Sequence, residues 1–225
     1  EENLQKKNFG TGVGDEGGFA PEGFTTKKAL DFIKKASSQV CKSGEDVFYG
    51  MDVAAESFYM PQKDEYFIVE EGLHLDSNEL GDYYNKLFKK FEIIYLEDPF
   101  YEKDEEGWSS FYKKHNNNLM VVADDLVVTN PKFLKGAIDK NLANAVIVKP
   151  NQVGTLTETL EFIKLAKKNN MKTILSHRSG DTGEDTFIAD LALAVDSEFI
   201  KSGAPVRGER VVKYNRLLDV FDSIT

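Results

Sequence analysis

Six short apolar runs in this chain each end on an ionisable residue, and those six residues form two chemical groups. VFYGMD ends at Asp52, EIIYLE at Glu97, MVVAD at Asp124, AVIVK at Lys149, TILSH at His177 and EFIK at Lys201. The first three are carboxylates. Three hard oxygen donors from separate segments suit Mg2+ better than zinc, which prefers His and Cys. The last three are basic. Set across from a metal cluster, they can hold an anionic substrate or, in the case of a lysine, remove a proton from it. A lysine base must be neutral, so its ordinary pKa of about 10.4 has to fall. A divalent cation, a second lysine and partial burial all push it down. Abstraction of a weakly acidic proton next to a carboxylate needs this set, with the metal stabilising the enolate and the lysine taking the proton.

Each residue also has a plainer reading. Asp124-Asp125 alone is an acidic turn capping a helix, Glu97-Asp98-Pro99 a polar loop, and Lys149 a solvated charge. Charged residues are 29% of the chain, so one or two at strand ends would mean nothing. Six of six is what shifts the reading. Lys149 sits between Val-Ile-Val and Pro150, a setting that keeps it from free solvation. His74 and His115 lie in ordinary polar stretches.

Two loops complete the set. GDEGGFAP, residues 14–21, places three glycines around Asp15 and Glu16. Glycine lets backbone approach a ligand closely and adopt positive φ; the alternative is an acidic surface turn. SHRSGDTGEDTF, residues 176–187, puts Arg178 and Ser179 just beyond a strand end. An arginine with a hydroxyl and backbone N–H groups grips phosphate well. The sequence has no GxxxxGK[ST] loop, so a nucleotide phosphate is not suggested.

The elements that must position these residues follow from the spacing. After a first gap of 45 residues, the run ends recur every 24 to 28 residues, about one βα unit each. The runs are near-continuously apolar, as expected of parallel strands buried on both faces. The long first gap holds a hairpin-like insert, FYMPQKDEYFIVEEG. Helices are expected near Ala29–Ser38 with Thr25 or Thr26 as cap, from Ser77 to Phe91 capped by Asp76 or Ser77, from Pro131 to about Asn141, from Thr155 to Asn169, and from about Gly208 to Phe221. This alternation predicts an α/β fold with a parallel sheet, most simply a (β/α) barrel whose strand ends converge on one face. Six units are visible where eight close a barrel, and residues 1–225 read as one incomplete barrel domain. Starting at Glu1 rather than Met, the chain is expected to be a fragment.

Composition bounds the rest. Of 225 residues, 41% are hydrophobic, and the net charge is -10, which argues against a nucleic-acid surface. A single cysteine, Cys41, precludes an internal disulfide and fits a reducing, cytoplasmic compartment. No apolar run approaches the roughly 20 residues of a membrane span.

The segments GVGDEGGFAP, GMDVAAESFY, LEDPFYEKD, VADDLVVTNP, VIVKPNQVGTLTETL, ILSHRSGDTGEDTFIADLA and IKSGAPVRGERVVKYNRLL together resemble the enolase family closely, in the family's order and over nearly the whole chain. The resemblance implies a modified (β/α)8 barrel, two Mg2+ ions per site and the glycolytic interconversion of 2-phosphoglycerate and phosphoenolpyruvate in a homodimer or higher oligomer. It implies Asp52, Glu97 and Asp124 as ligands of the first Mg2+ and Lys149 as the base that takes the C2 proton. Glu16 is implied on the acid side of C3 hydroxide loss, His177, Arg178 and Ser179 in substrate and phosphate contacts, and Lys201 at the substrate carboxylate. The chain departs from the family at Glu56-Ser57, which has the opposite order, and at Gly183, which lengthens the loop after Arg178. The family's N-terminal domain and first barrel strands are not in this sequence, so residues 1–225 alone are expected to be inactive. Other readings are an acid-sugar dehydratase or racemase of the wider superfamily, and a non-catalytic surface-binding role.

Overall fold

The computed structural model describes residues 1–178 and 180–224; Ser179 lies outside the described residues. Nine strands are present among them: β1 (Tyr49–Asp52), β2 (Tyr59–Met60), β3 (Glu65–Ile68), β4 (Leu73–Leu75), β5 (Ile93–Glu97), β6 (Met120–Ala123), β7 (Ala145–Val148), β8 (Lys172–Ser176) and β9 (Phe199–Lys201). Six are parallel in two groups of neighbours, β1 with β5 and β5 with β6, and β7 with β8 and β8 with β9. Helices separate these strands along the chain, so the α/β class read from the spacing holds. The chain divides into two compact units, one of residues 23–127 and 135–144, the other of residues 1–22, 128–134 and 145–225.

In the first unit, β1, β5 and β6 lie side by side. The insert after β1 is larger than a hairpin: β2, β3 and β4 make a three-stranded antiparallel sheet. Asp76 caps helix Ser77–Phe88 in a capping box with Glu79, which satisfies two orphan backbone donors. That helix stops at Phe88, one turn before the expected Phe91, yet Phe91 is still buried. Helix Glu105–His115, which periodicity did not reveal, is capped by Asp104. The same Asp104 carboxylate accepts from the Tyr66 hydroxyl at 2.7 Å and from Ser77. Tyr66, Tyr84, Phe100, Trp108 and Phe111 form a buried aromatic cluster. It anchors the loop after β5: Tyr84 donates to the Pro99 carbonyl, Trp108 Nε1 to the Tyr101 carbonyl, and the Tyr101 amide to the Tyr66 hydroxyl. His115 lies in its polar stretch at the end of helix Glu105–His115 but turns its ring inward. It packs 4.4 Å from the Phe111 ring, and burial lowers its pKa.

In the second unit, β7, β8 and β9 are parallel neighbours. Thr155 caps helix Leu156–Lys168, whose Phe162, Ile163 and Ala166 are buried. Helix Phe187–Ala194 was also not legible, because it is apolar nearly all round and too short to show a period. The last helix runs Gly208–Ile224, one turn past the expected end. Its Arg210 and Lys213 are buried beneath the loops described next.

Candidate active site

In the unit containing β1, β5 and β6, acidic residues collect at the strand ends. Asp52 is the register partner of Glu97, so the two carboxylates occupy one row of adjacent strands. Asp52 is exposed and Glu97 fully buried. Asp124 follows β6 by one residue and is buried. The turn that presents it is organised by Asp98, which sequence reasoning passed over. Asp98 has φ +41°, and its two carboxylate oxygens accept the backbone N–H groups of Asp124 at 3.0 Å and Asp125 at 2.9 Å. Burial pushes the Asp98 carboxyl well above its ordinary range, and Asp124 and Glu97 add to that, against the two amide donors.

Ligand atoms of Asp98, Asp124 and Asp125 lie within 4.8 Å of one another, close enough to share an ion. With both oxygens engaged by amides, Asp98 acts on that cluster mainly by shaping it. Tyr95 also escaped sequence reasoning. It stands two residues before Glu97 on β5, hence on the same face, and its hydroxyl donates to Glu97 Oε2. Burial, then the Glu97 charge, drives the phenol pKa far up. All these donors are oxygens, the set a hard cation such as Mg2+ takes.

In the other unit, the basic residues and Glu16 are positioned by contacts between distant stretches. Lys149 follows β7 by one residue and opens the short helix Pro150–Val153. Its backbone N–H donates to Thr129 Oγ1 at 2.9 Å, and that buried hydroxyl donates to Gln152 Oε1 at 2.8 Å. The Lys149 side chain is half-buried. His177 follows β8 by one residue and is almost wholly buried. Its backbone N–H donates to the Lys201 carbonyl at 2.9 Å, and Nδ1 lies 2.8 Å from the same oxygen. A carbonyl only accepts, so Nδ1 carries a proton. Nε2 then faces Glu16 Oε1 at 3.2 Å.

Glu16 reaches that position because its loop is pinned by backbone. The Ala204 N–H donates to the Glu16 carbonyl at 2.8 Å. Gly203, at φ +74°, leaves room for that carbonyl, since a Cβ there would lie 2.7 Å from it. The hydrogen bond from His177, the largest influence, holds the Glu16 carboxyl down at about 2, helped by the charges of His177, Lys201 and Arg210 and opposed by burial. Beneath the loops, Asp181 pairs with Lys213 at 3.0 Å and Arg210 at 3.7 Å. Arg210 also donates to the carbonyls of Arg178 and Asp15, each at 3.4 Å. Arg178 itself is exposed.

The expected site residues thus fall into two groups. Asp52, Glu97 and Asp124 share one unit, and Glu16, Lys149, His177, Arg178 and Lys201 share the other. Parallel strands alternating with helices, with ionisable residues at the strand ends, define the class of α/β proteins whose functional residues sit at the carboxyl ends of the strands. The family model for "Enolase, C-terminal TIM barrel domain" matches residues 2–225. The chain is 48% identical over 226 residues to enolase 2 of Lactobacillus johnsonii, covering 98% of this chain and 51% of that protein. It is likewise 48% identical over 210 residues to an enolase of Saccharolobus islandicus, covering 93% of this chain and 49% of that protein. The chain belongs to the enolase family. It spans about half the length of the curated relatives it matches.

Proposed function

We propose that the full-length protein carrying this chain catalyses the reversible, Mg2+-dependent dehydration of 2-phosphoglycerate to phosphoenolpyruvate, and that residues 1–225 form one incomplete barrel domain of it. The observation that carries this reading is the cluster of Glu16, His177 and Lys201. Three stretches far apart in sequence bring a carboxylate and an imidazole into hydrogen-bond contact, within a chain of the enolase family.

Asp52, Glu97 and Asp124 would hold the first Mg2+, which when bound supplies positive charge against the substrate carboxylate; a second Mg2+ would be completed by substrate and by residues outside this chain. Lys149 removes the C2 proton. The electron pair of that bond is first delocalised into the substrate carboxylate, and in a second step it becomes the C2–C3 double bond when hydroxide leaves C3 with a proton from the Glu16 side, giving water. The His177 imidazole in contact with Glu16 lines that acid side. Arg178 and Ser179 grip the phosphate, His177 adds a substrate contact, and Lys201 faces the substrate carboxylate.

Among the described residues, no helix is long and apolar enough to cross a membrane. The family resemblance adds a glycolytic role and a homodimer or higher oligomer for the full-length protein, and the acidic composition and single cysteine support a cytoplasmic enzyme that binds no nucleic acid. The ultraviolet absorbance of phosphoenolpyruvate, followed with 2-phosphoglycerate and Mg2+, tests the reaction. Full-length protein that turns over only with Mg2+ supports the reading; dehydration of an unphosphorylated acid sugar in its place refutes it.

A further inference from the structure

The row of residues behind the Asp52–Glu97 pair contains an arrangement that the reaction does not explain. Gly50 is the register partner of Tyr95, just as Asp52 is of Glu97. Residues two apart on a strand share a face, so Gly50 with Asp52, and Tyr95 with Glu97, make two successive rows. The Tyr95 ring lies over Gly50: a Cβ there would sit 3.0 Å from Cδ1, 3.1 Å from Cβ and 3.2 Å from Cγ of Tyr95. A side chain at position 50 would require the ring to give way by a few tenths of an ångström. The ring in that place directs its hydroxyl onto Glu97 Oε2.

A fully buried carboxylate needs donors to offset its lost hydration, and an O–H on an anionic oxygen is among the stronger ones. Such a donor also restrains the geometry. A carboxylate with one oxygen held by a phenol is disfavoured from chelating a metal through both. One-oxygen ligation suits the small, octahedral Mg2+, whereas Ca2+ accepts bidentate carboxylates and longer distances.

We propose that Tyr95, seated on Gly50, is a positioning residue that holds Glu97 to one-oxygen ligation and thereby favours Mg2+ over Ca2+. The proposal rests on the reading of Glu97 as a metal ligand. Calorimetric titration of the full-length protein with Mg2+ alone and with Ca2+ alone, substrate absent, tests both. Tyr95→Phe keeps the ring and removes the hydroxyl. It should weaken Mg2+ binding about tenfold, as loss of a hydrogen bond to a metal ligand commonly does, and weaken Ca2+ binding distinctly less. Gly50→Ala keeps the hydroxyl but shifts the ring, so it should move the Mg2+/Ca2+ ratio in the same direction, and it reads the proposal should Tyr95→Phe fail to fold. Glu97→Gln serves as the control for the underlying assignment. If Glu97→Gln abolishes Mg2+ binding while Tyr95→Phe and Gly50→Ala leave the ratio unchanged, the Tyr95 proposal is overturned and the ligand assignment stands. If Glu97→Gln leaves Mg2+ affinity intact, the assignment falls and the proposal with it.

Discussion

The imidazole of His177 bridges two segments: Nδ1 lies 2.8 Å from the Lys201 carbonyl oxygen and Nε2 lies 3.2 Å from Glu16 Oε1. The carbonyl can only accept, which fixes a proton on Nδ1 and turns Nε2 toward the carboxylate. The imidazole thus joins a carboxylate from one end of the chain to a backbone carbonyl near the other.

This relationship has a pH signature. The folded pKa of Glu16 is about 2, below its ordinary 4.5. A depressed carboxyl contributes stability that is present above its unfolded pKa and is lost as pH falls through the folded value. Stability of the full-length protein should therefore decline on acidification from about 4.5 toward 2, and Glu16→Gln should show a shallower decline over that window. Urea melts followed by circular dichroism at a series of acidic pH values measure the difference. Parallel slopes in the two proteins would refute the pairing.

The division of labour between Lys149 and Glu16 is separable by isotope exchange. In full-length Lys149→Ala, exchange of the substrate C2 proton with solvent deuterium should stop. In Glu16→Gln that exchange should persist while dehydration falls by a factor of about 100 or more, the scale of one lost acid–base group. Exchange that survives Lys149→Ala and vanishes in Glu16→Gln would reverse the two roles.

Asp98 makes a stability prediction independent of catalysis. Its two oxygens serve the amides of Asp124 and Asp125. Asp98→Asn keeps the size but leaves one buried N–H facing an amide group without an acceptor. A loss of about 1–3 kcal/mol is expected, together with weaker Mg2+ binding because the turn carrying Asp124 relaxes. The buried Trp108 of the same unit gives a fluorescence readout of unfolding. An unchanged urea midpoint would show that the turn does not depend on Asp98.

Gly203 guards the position of Glu16. With φ +74° and only 2.7 Å between a would-be Cβ and the Glu16 carbonyl, Gly203→Ala should cost at least about 1 kcal/mol from the left-handed backbone alone. It should also reduce turnover by moving the loop, with Mg2+ affinity unchanged because the acidic residues lie in the other unit. Full activity in Gly203→Ala would show that the loop can shift without consequence.

Residues 1–225 expressed alone should aggregate and lack turnover. Among the described residues, β1 has its registered partner β5 on one side and β9 its registered partner β8 on one side, and exposed edges of parallel strands template association. Light scattering and the phosphoenolpyruvate assay on the isolated chain check both parts. Monomeric, active protein would contradict them.

Local chemistry alone carried the α/β class, the six strand ends and the capped helices. An apolar run of about five residues with an ionisable terminus reads as a buried parallel strand, and Asp76 or Thr25 ahead of a run of helical spacing reads as a helix start. Those signals depend on neighbours within a few residues, so no tertiary information was needed. The helices Glu105–His115 and Phe187–Ala194 and the third strand of the insert were not legible; the first has charges at both ends and the second is apolar on nearly every side. Only the tertiary structure could show that Asp98 shapes the turn for Asp124, that Gly50 makes room for Tyr95, and that Gly203, nearly the whole chain away, pins Glu16. In each case the deciding quantity is a distance between residues far apart in sequence, set by strand register and loop packing, and a motif read along the chain contains no such distance.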